Sequence, residues 1–218
     1  MSLFLGIDFG TTGVRSSIID KNKKELINFS VSIDSPISKG SLVYQNPSLW
    51  WSALIKNLTF LKTKIELNKI ERLSIDGTSG TVLITDHLGK PLDNALMYND
   101  ASAVKESKLV ESISDNHPIV STSTNALVRA LSLINKLKKE KYRILHQADW
   151  IACKIIDDYM YSDENNALKL GYDCIERSWP KWFDQLPIEM NSLPNIKIPG
   201  QSIGCLLYTS PSPRDSSK

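Results

Sequence analysis

Asp8-Phe9-Gly10-Thr11-Thr12 is a short run whose residue types suit one chemical task. A carboxylate can hold a magnesium ion, usually through water. Glycine lets a backbone approach a phosphate closely, and the amides and hydroxyls of Thr11 and Thr12 can donate to phosphate oxygens. Arg15 adds a fixed positive charge three residues on. This is the logic of phosphoryl transfer, in which positioning and charge neutralisation do most of the work. An ordinary hairpin, with Gly10 and Gly13 serving turn geometry and Asp8 as a cap, is the plainer reading. An aspartic protease loop is disfavoured by Phe9, which stands where Thr or Ser is needed, and by the immediate Gly77 after Asp76.

A second set lies further along. Asp76-Gly77-Thr78-Ser79-Gly80 follows a brief apolar run, and Asn99-Asp100 follows another. Asp76 and Asp100 could accept hydrogen bonds from the hydroxyls of a polyol, and Thr78 and Ser79 could donate or accept. A turn aspartate and a helix cap are the alternatives for these two carboxylates. His87, His117 and His146 stand apart in sequence and receive no role, and Lys138, Lys139 and Lys141 read as a solvated helix end.

These residues must be held by strands and helices. Residues 3–7 and 14–19 read as strands flanking the glycine-rich turn, and 25–33 as a third, with Leu26, Phe29 and Val31 inward. Three antiparallel strands should open the fold, extended by parallel strands, with Asp8 and Asp76 at neighbouring strand ends facing one cleft. Asn46-Pro47 supplies a cap and a first-turn proline for a helix through Trp50, Trp51, Leu54, Ile55, Leu58, Leu61 and Ile65. Residues 72–75, 81–85 and 95–98 read as strands, and 101–112, 125–141 and 148–158 as helices. There is no internal repeat.

Bulk properties agree with a globular protein. At 218 residues, 41% of them hydrophobic, the chain can bury a sizeable core. A net charge of +2, from 26 basic and 24 acidic residues spread along the chain, offers no basic patch for nucleic acid or an anionic membrane. Asp8 follows the first apolar residues too soon for a signal peptide, and no run approaches the roughly 20 apolar residues of a membrane helix. Cys153, Cys174 and Cys205 lack metal-ligand spacing and read as reduced thiols, so a cytoplasmic location is expected. Two glycosylation triplets, at Asn28 and Asn57, would need a secretory route.

The end of the chain has a different character. Residues 205–218 are Ser/Pro-rich in their second half and show no apolar period. A nucleotide string that resembles a common transposase-type sequencing adapter translates to residues 205–215. The expectation is therefore that 205–218 is an artefact with no packing of Tyr208 to Lys218, and that the natural chain continues past Gly204.

Strand, Asp-x-Gly-Thr-Thr, strand, turn, strand resembles the opening of the sugar kinase, chaperone and actin ATPase superfamily. Asn46-Pro47-Ser48-Leu49-Trp50-Trp51, Tyr98-Asn99-Asp100 and Gln147-Ala148-Asp149-Trp150-Ile151-Ala152 resemble segments of the FGGY carbohydrate kinases, over about residues 3–204. The Asp76–Gly80 loop with Asn166-Ala167-Leu168-Lys169-Leu170-Gly171-Tyr172-Asp173 is most similar to the small cyanobacterial and plant ribulose or xylulose kinase branch. The Gly-Gln-Met-His-Gly of typical bacterial xylulose kinases is lacking, which favours ribulose. Ala101-Ser102-Ala103 also stands where the family often has an arginine soon after Asn-Asp.

The resemblance implies an α/β, ribonuclease H-like domain over 1–204, with a mixed sheet flanked by helices. It implies ATP and magnesium as cofactors and a small sugar as partner. Asp8, Gly10, Thr11, Thr12 and Arg15 would face the phosphates, and Asp76, Gly77, Thr78, Ser79 and Asp100 the sugar. The general base and the adenine contacts would belong to a second domain beyond Gly204. A non-catalytic sugar- or nucleotide-binding module and an actin-like or chaperone-like ATPase are the rival readings.

Overall fold

The computed structural model describes residues 2–114, 120, 122–137 and 141–205. His117, Lys138, Lys139 and the stretch from Tyr208 to Lys218 therefore lie outside the described residues. Strands β1 (Leu3–Phe9), β2 (Gly13–Asp20) and β3 (Glu25–Ser32) form the expected antiparallel meander. β4 (Ile37–Lys39) and β5 (Leu42–Gln45) leave for a second sheet, and helix α1 (Pro47–Lys62) follows. β6 (Ile70–Gly77) then returns to lie parallel to β1, giving the order β3-β2-β1-β6.

Alternation along these strands sorts the two faces of the sheet. Leu3, Leu5, Ile7, Phe9, Val14 and Ile18 are buried in one core with Trp50, Ala53, Leu54 and Leu61 of α1. Gly6, Arg15, Ser74 and Asp76 are exposed on the other face, where Asp8 is half-buried. α1 starts where expected: Asn46 is the N-cap, its side chain accepting from the Ser48 amide, and Pro47 opens the first turn.

The second sheet has the order β4-β5-β8-β7-β9, completed by β7 (Val82–Thr85), β8 (Ala95–Leu96) and β9 (Arg143–His146), with every pairing antiparallel. Helix α3 (Ala126–Ile134) shares a second core with Val82, Ile84 and Ile144 of this sheet, and α2 (Val104–Ile113) contributes Val110. Helix α4 (Gln147–Ile156) begins directly after β9 and gives Trp150, Ile151 and Cys153 to the first core, so it joins the two halves. The Trp50 and Trp150 rings meet edge to face at 6.1 Å. Beyond lie β10 (Tyr161–Asp163), the short α5 (Glu164–Ala167) and β11 (Asn195–Lys197), which pairs parallel with β10. Among the described residues no helix is long and apolar enough to cross a membrane.

Several expectations need correction. Ile27, Phe29 and Val31 form the inward set of β3, and Leu26 is exposed, because a period of two cannot place 26 and 29 on one face. Among the described residues only β6 extends the meander in parallel; β7, β8 and β9 join the antiparallel second sheet, and β10 and β11 pair apart from both. The strand expected over 95–98 stops at Leu96, since Met97 to Asp100 closes a turn through the Asp100 amide and the Met97 carbonyl. α2 begins at Val104 rather than 101, and α3 ends at Ile134 with Asn135 as its C-cap.

Candidate active site

The turn between β1 and β2 is narrow, closed by a hydrogen bond from the Gly10 amide to the Gly13 carbonyl at 2.9 Å. Gly13 is required by space: an added Cβ would sit 3.2 Å from the Val31 carbonyl oxygen of β3. The turn rests on a buried support. Gln45 is 2% exposed; its Nε2 donates to the carbonyls of Thr11 (3.2 Å) and Asp34 (2.6 Å), and its Oε1 accepts from Trp50 Nε1 at 2.6 Å. The first of the paired tryptophans thus steadies the turn from beneath through Gln45, a residue the sequence reading did not single out. On the upper side, neither the amides nor the hydroxyls of Thr11 and Thr12 donate to any other described residue. Four donors stand free at one strand end.

Asp8 and Asp76 are direct partners in the parallel register of β1 and β6. Both line one shallow depression of about 300 Å³ on the open face, together with Arg15, Ser17, Asn28 and Ser74. The structure therefore brings Asp8, Arg15 and Asp76 together, as expected. Arg15 Nη2 lies 3.3 Å from Asp8 Oδ2, with the two side chains 69% and 50% exposed, so the pair is solvent-screened and open to exchange for a ligand.

The Asp76 to Gly80 loop is fastened to the same end of the sheet. Asp76 Oδ1 accepts from the Gly77 amide at 2.8 Å, the Thr78 amide donates to Gln147 Oε1 at 2.9 Å, and Thr78 Oγ1 donates to the Phe9 carbonyl at 3.2 Å. That last bond ties the two candidate loops to each other. A Cβ on Gly77 would come 3.2 Å from the Ala148 amide, so glycine permits the N-terminus of α4 to close on the loop. Ser79 is exposed, and Gly80 is left-handed with φ +81°.

Asp100 belongs elsewhere. It is fully buried, and its oxygens accept from the Val43 amide (2.7 Å), the Ser102 amide (3.2 Å) and Ser102 Oγ (2.9 and 3.2 Å). The expectation that it faces a sugar is corrected: its acceptor capacity is used inside the fold. It caps a turn ahead of α2 and pins β5. Beside it lies buried Arg129, also missed in the sequence, whose pKa burial lowers to about 10 against the opposing pull of Asp100.

A larger cleft of about 1210 Å³ runs along β6 at the far end of the open face, lined in part by Glu71, Arg72, Asn166 and Gly200 to Gly204. Neither Asp8 nor Asp76 lines it. No group of three or more potential metal-ligating side chains exists among the described residues. A magnesium ion here would rest on Asp8, waters and phosphate oxygens, which is that ion's habit.

A sheet of this order with a glycine and threonine turn after its first strand is the ribonuclease H-like fold of the actin, chaperone and sugar kinase superfamily. The chain is similar in fold to a ligand-bound xylulose kinase from Lactobacillus acidophilus, with TM-score 0.83 and 18% identity over 95% of this chain and 44% of that one. A Plasmodium falciparum glycerol kinase with ADP gives TM-score 0.81 and 20% identity over 99% and 46%. In sequence, the xylulose kinase of Staphylococcus xylosus is 22% identical over 219 residues, 94% of this chain and 45% of that protein. The model of the FGGY family of carbohydrate kinases, N-terminal domain, matches residues 3–209, and the chain belongs to that family. It spans less than half the length of these relatives.

Proposed function

We propose that the protein is an ATP-dependent carbohydrate kinase that phosphorylates a hydroxyl of a free ketopentose in the cytoplasm, and that residues 1–204 are its phosphate- and sugar-contacting half. One observation carries this reading: the amides and hydroxyls of Thr11 and Thr12, which donate to no other described residue, sit in the turn that follows β1, and Asp8 near the end of that strand shares a depression with its strand partner Asp76. Thr11 and Thr12 would donate to the phosphates, Gly10 would let them approach, and Arg15 would turn from Asp8 to a phosphate oxygen. Asp8 would hold magnesium through water, and that ion supplies neutralisation of phosphate charge. Asp76 and the exposed Ser79 would receive the sugar, with Gly77 and Thr78 fixing the loop that carries them. The catalytic base and the adenine contacts would lie in chain beyond Gly204.

D-ribulose is the proposed substrate, on the Asp-Gly-Thr-Ser-Gly loop. Xylulose, named for two of the relatives above, is an equally good reading of the substrate, and another polyol is the alternative within the same family. A coupled assay of ADP release with each ketopentose, run on residues 1–204 and on the longer natural protein in parallel, tests the reading. Turnover is expected from the longer protein alone, because loss of a general base costs about a hundred- to ten-thousand-fold. Comparable turnover by the short chain would put the base within these residues. No turnover by the longer protein with any polyol would favour a binding module.

A further inference from the structure

Arg129 occupies a position where a hydrophobic side chain would be expected. Ala126, Leu127, Val128, Ala130 and Leu131 around it on α3 are all buried, and Arg129 itself is 1% exposed. It forms no ion pair within contact distance among the described residues, although the buried Asp100 carboxylate acts on it electrostatically. Its guanidinium is spent on main-chain oxygens from separate segments: Nη1 donates to the carbonyls of Tyr98 (2.9 Å), Asp100 (3.2 Å) and Thr124, and Nη2 to that of Gly80 (2.6 Å). A buried charge held by carbonyl oxygens is costly, so its presence calls for a task that a leucine cannot do.

The task is visible in what the carbonyls belong to. Gly80 ends the loop that carries Thr78 and Ser79, and Tyr98 to Asp100 is the neighbouring turn, where Tyr98 is 46% exposed. On its other side the loop is held by Gln147 and by the Phe9 carbonyl. Gly80 and Arg129 also fit each other closely: a Cβ on Gly80 would lie 3.3 Å from Arg129 Nη2, at a backbone angle that already favours glycine.

We infer that Arg129 is the positioning residue of the sugar-facing loop, locking Gly80 to the Tyr98–Asp100 turn and so setting where Thr78 and Ser79 meet the sugar. The inference rests on the function proposed above. Small displacements of binding groups translate into large kinetic losses, so the effect should fall on the sugar and spare the nucleotide.

The test is steady-state kinetics of the longer natural protein carrying R129M, R129K or G80A, each assayed well below its own melting temperature. G80A keeps the arginine and disturbs the loop from the other side, which covers the case of R129M failing to fold. The expected result is a KM for the ketose raised about tenfold or more in R129M and G80A, a smaller rise in R129K, and a KM for ATP within about twofold. Sugar KM unchanged in variants that merely melt earlier would overturn the inference. Equal rises in both KM values would do the same, since they would report general loosening. An unsubstituted protein that turned over no polyol would instead contradict the proposed function. The loop-locking step would then be read by amide hydrogen exchange in R129K: faster exchange confined to Gly80, Thr81 and the Tyr98–Asp100 turn supports it, and unchanged or uniform exchange overturns it.

Discussion

Two polar strand ends look alike in the sequence and behave oppositely in the structure. At the end of β1, Asp8 is half-exposed, its ion-pair partner is the exposed head of Arg15, and the donors of Thr11 and Thr12 engage no other described residue. After β8, Asp100 is sealed in, its carboxylate saturated by Val43 and Ser102. An aspartate after an apolar run is thus left open or made a staple according to whether main-chain amides elsewhere consume its lone pairs. The first kind leaves the fold with unspent hydrogen-bonding capacity, and that is what a ligand uses.

If this contrast holds, stability should separate the two residues. D100A strands the Val43 amide and removes the carboxylate nearest buried Arg129, and a loss of about 3 kcal/mol or more is expected in denaturant unfolding. D8A should change stability by only about 0.5 kcal/mol, because its partner is exposed and screened. Equal losses would erase the distinction.

The support beneath the β1–β2 turn gives a second contrast. W50F keeps most of the apolar contact but leaves Gln45 Oε1 unpaired in the core, and should cost about 1–3 kcal/mol. Because Gln45 also holds the Thr11 carbonyl, the same variant should speed amide exchange at Gly10 more than in β7, and no difference between those sites would count against a coupled support.

A further effect is confined to alkaline pH. Burial pushes the Cys153 thiol from 9.0 up to about 12, and the nearby Asp149 and Asp158 carboxylates add to the rise. A folded pKa above the unfolded one means that this thiol's contribution is fully present below about pH 9 and declines as pH rises toward 12. The unfolding free energy of the unsubstituted chain should therefore fall more steeply over that window than that of C153A. Parallel curves would show that the thiol is not held neutral.

Much of the β1–β2 end was legible because it is local. Gly10 and Gly13 flank a turn between two alternating strands, Asn46-Pro47 announces α1, and Asp8 and Asp76 each close an apolar run. Their pairing needed only the parallel return of β6. What escaped the reading depends on contacts distant in sequence: Gln45 reaching Thr11 and Asp34, Val43 consuming Asp100, and Arg129 reaching from α3 to Gly80. One signal was available. A single arginine amid Ala126-Leu127-Val128 and Ala130-Leu131 is a charge in a helix with no polar face at that height, and such a residue must find partners inside. Leu26 shows the reverse error, where apolar character was taken for an inward position against the strand period.

The central claim is that the β1–β2 turn is a phosphate cradle and the Tyr98–Asp100 turn is not. Its most direct test is an amide NMR titration of the isotope-labelled chain with magnesium tripolyphosphate, which carries the phosphates without needing adenine contacts. The account predicts shifts concentrated at Gly10, Thr11, Thr12 and Gly13, abolished by D8N, with Asn99 to Ser102 unmoved. Shifts centred on the larger cleft along β6, or no shift at the turn at millimolar ligand, would contradict it.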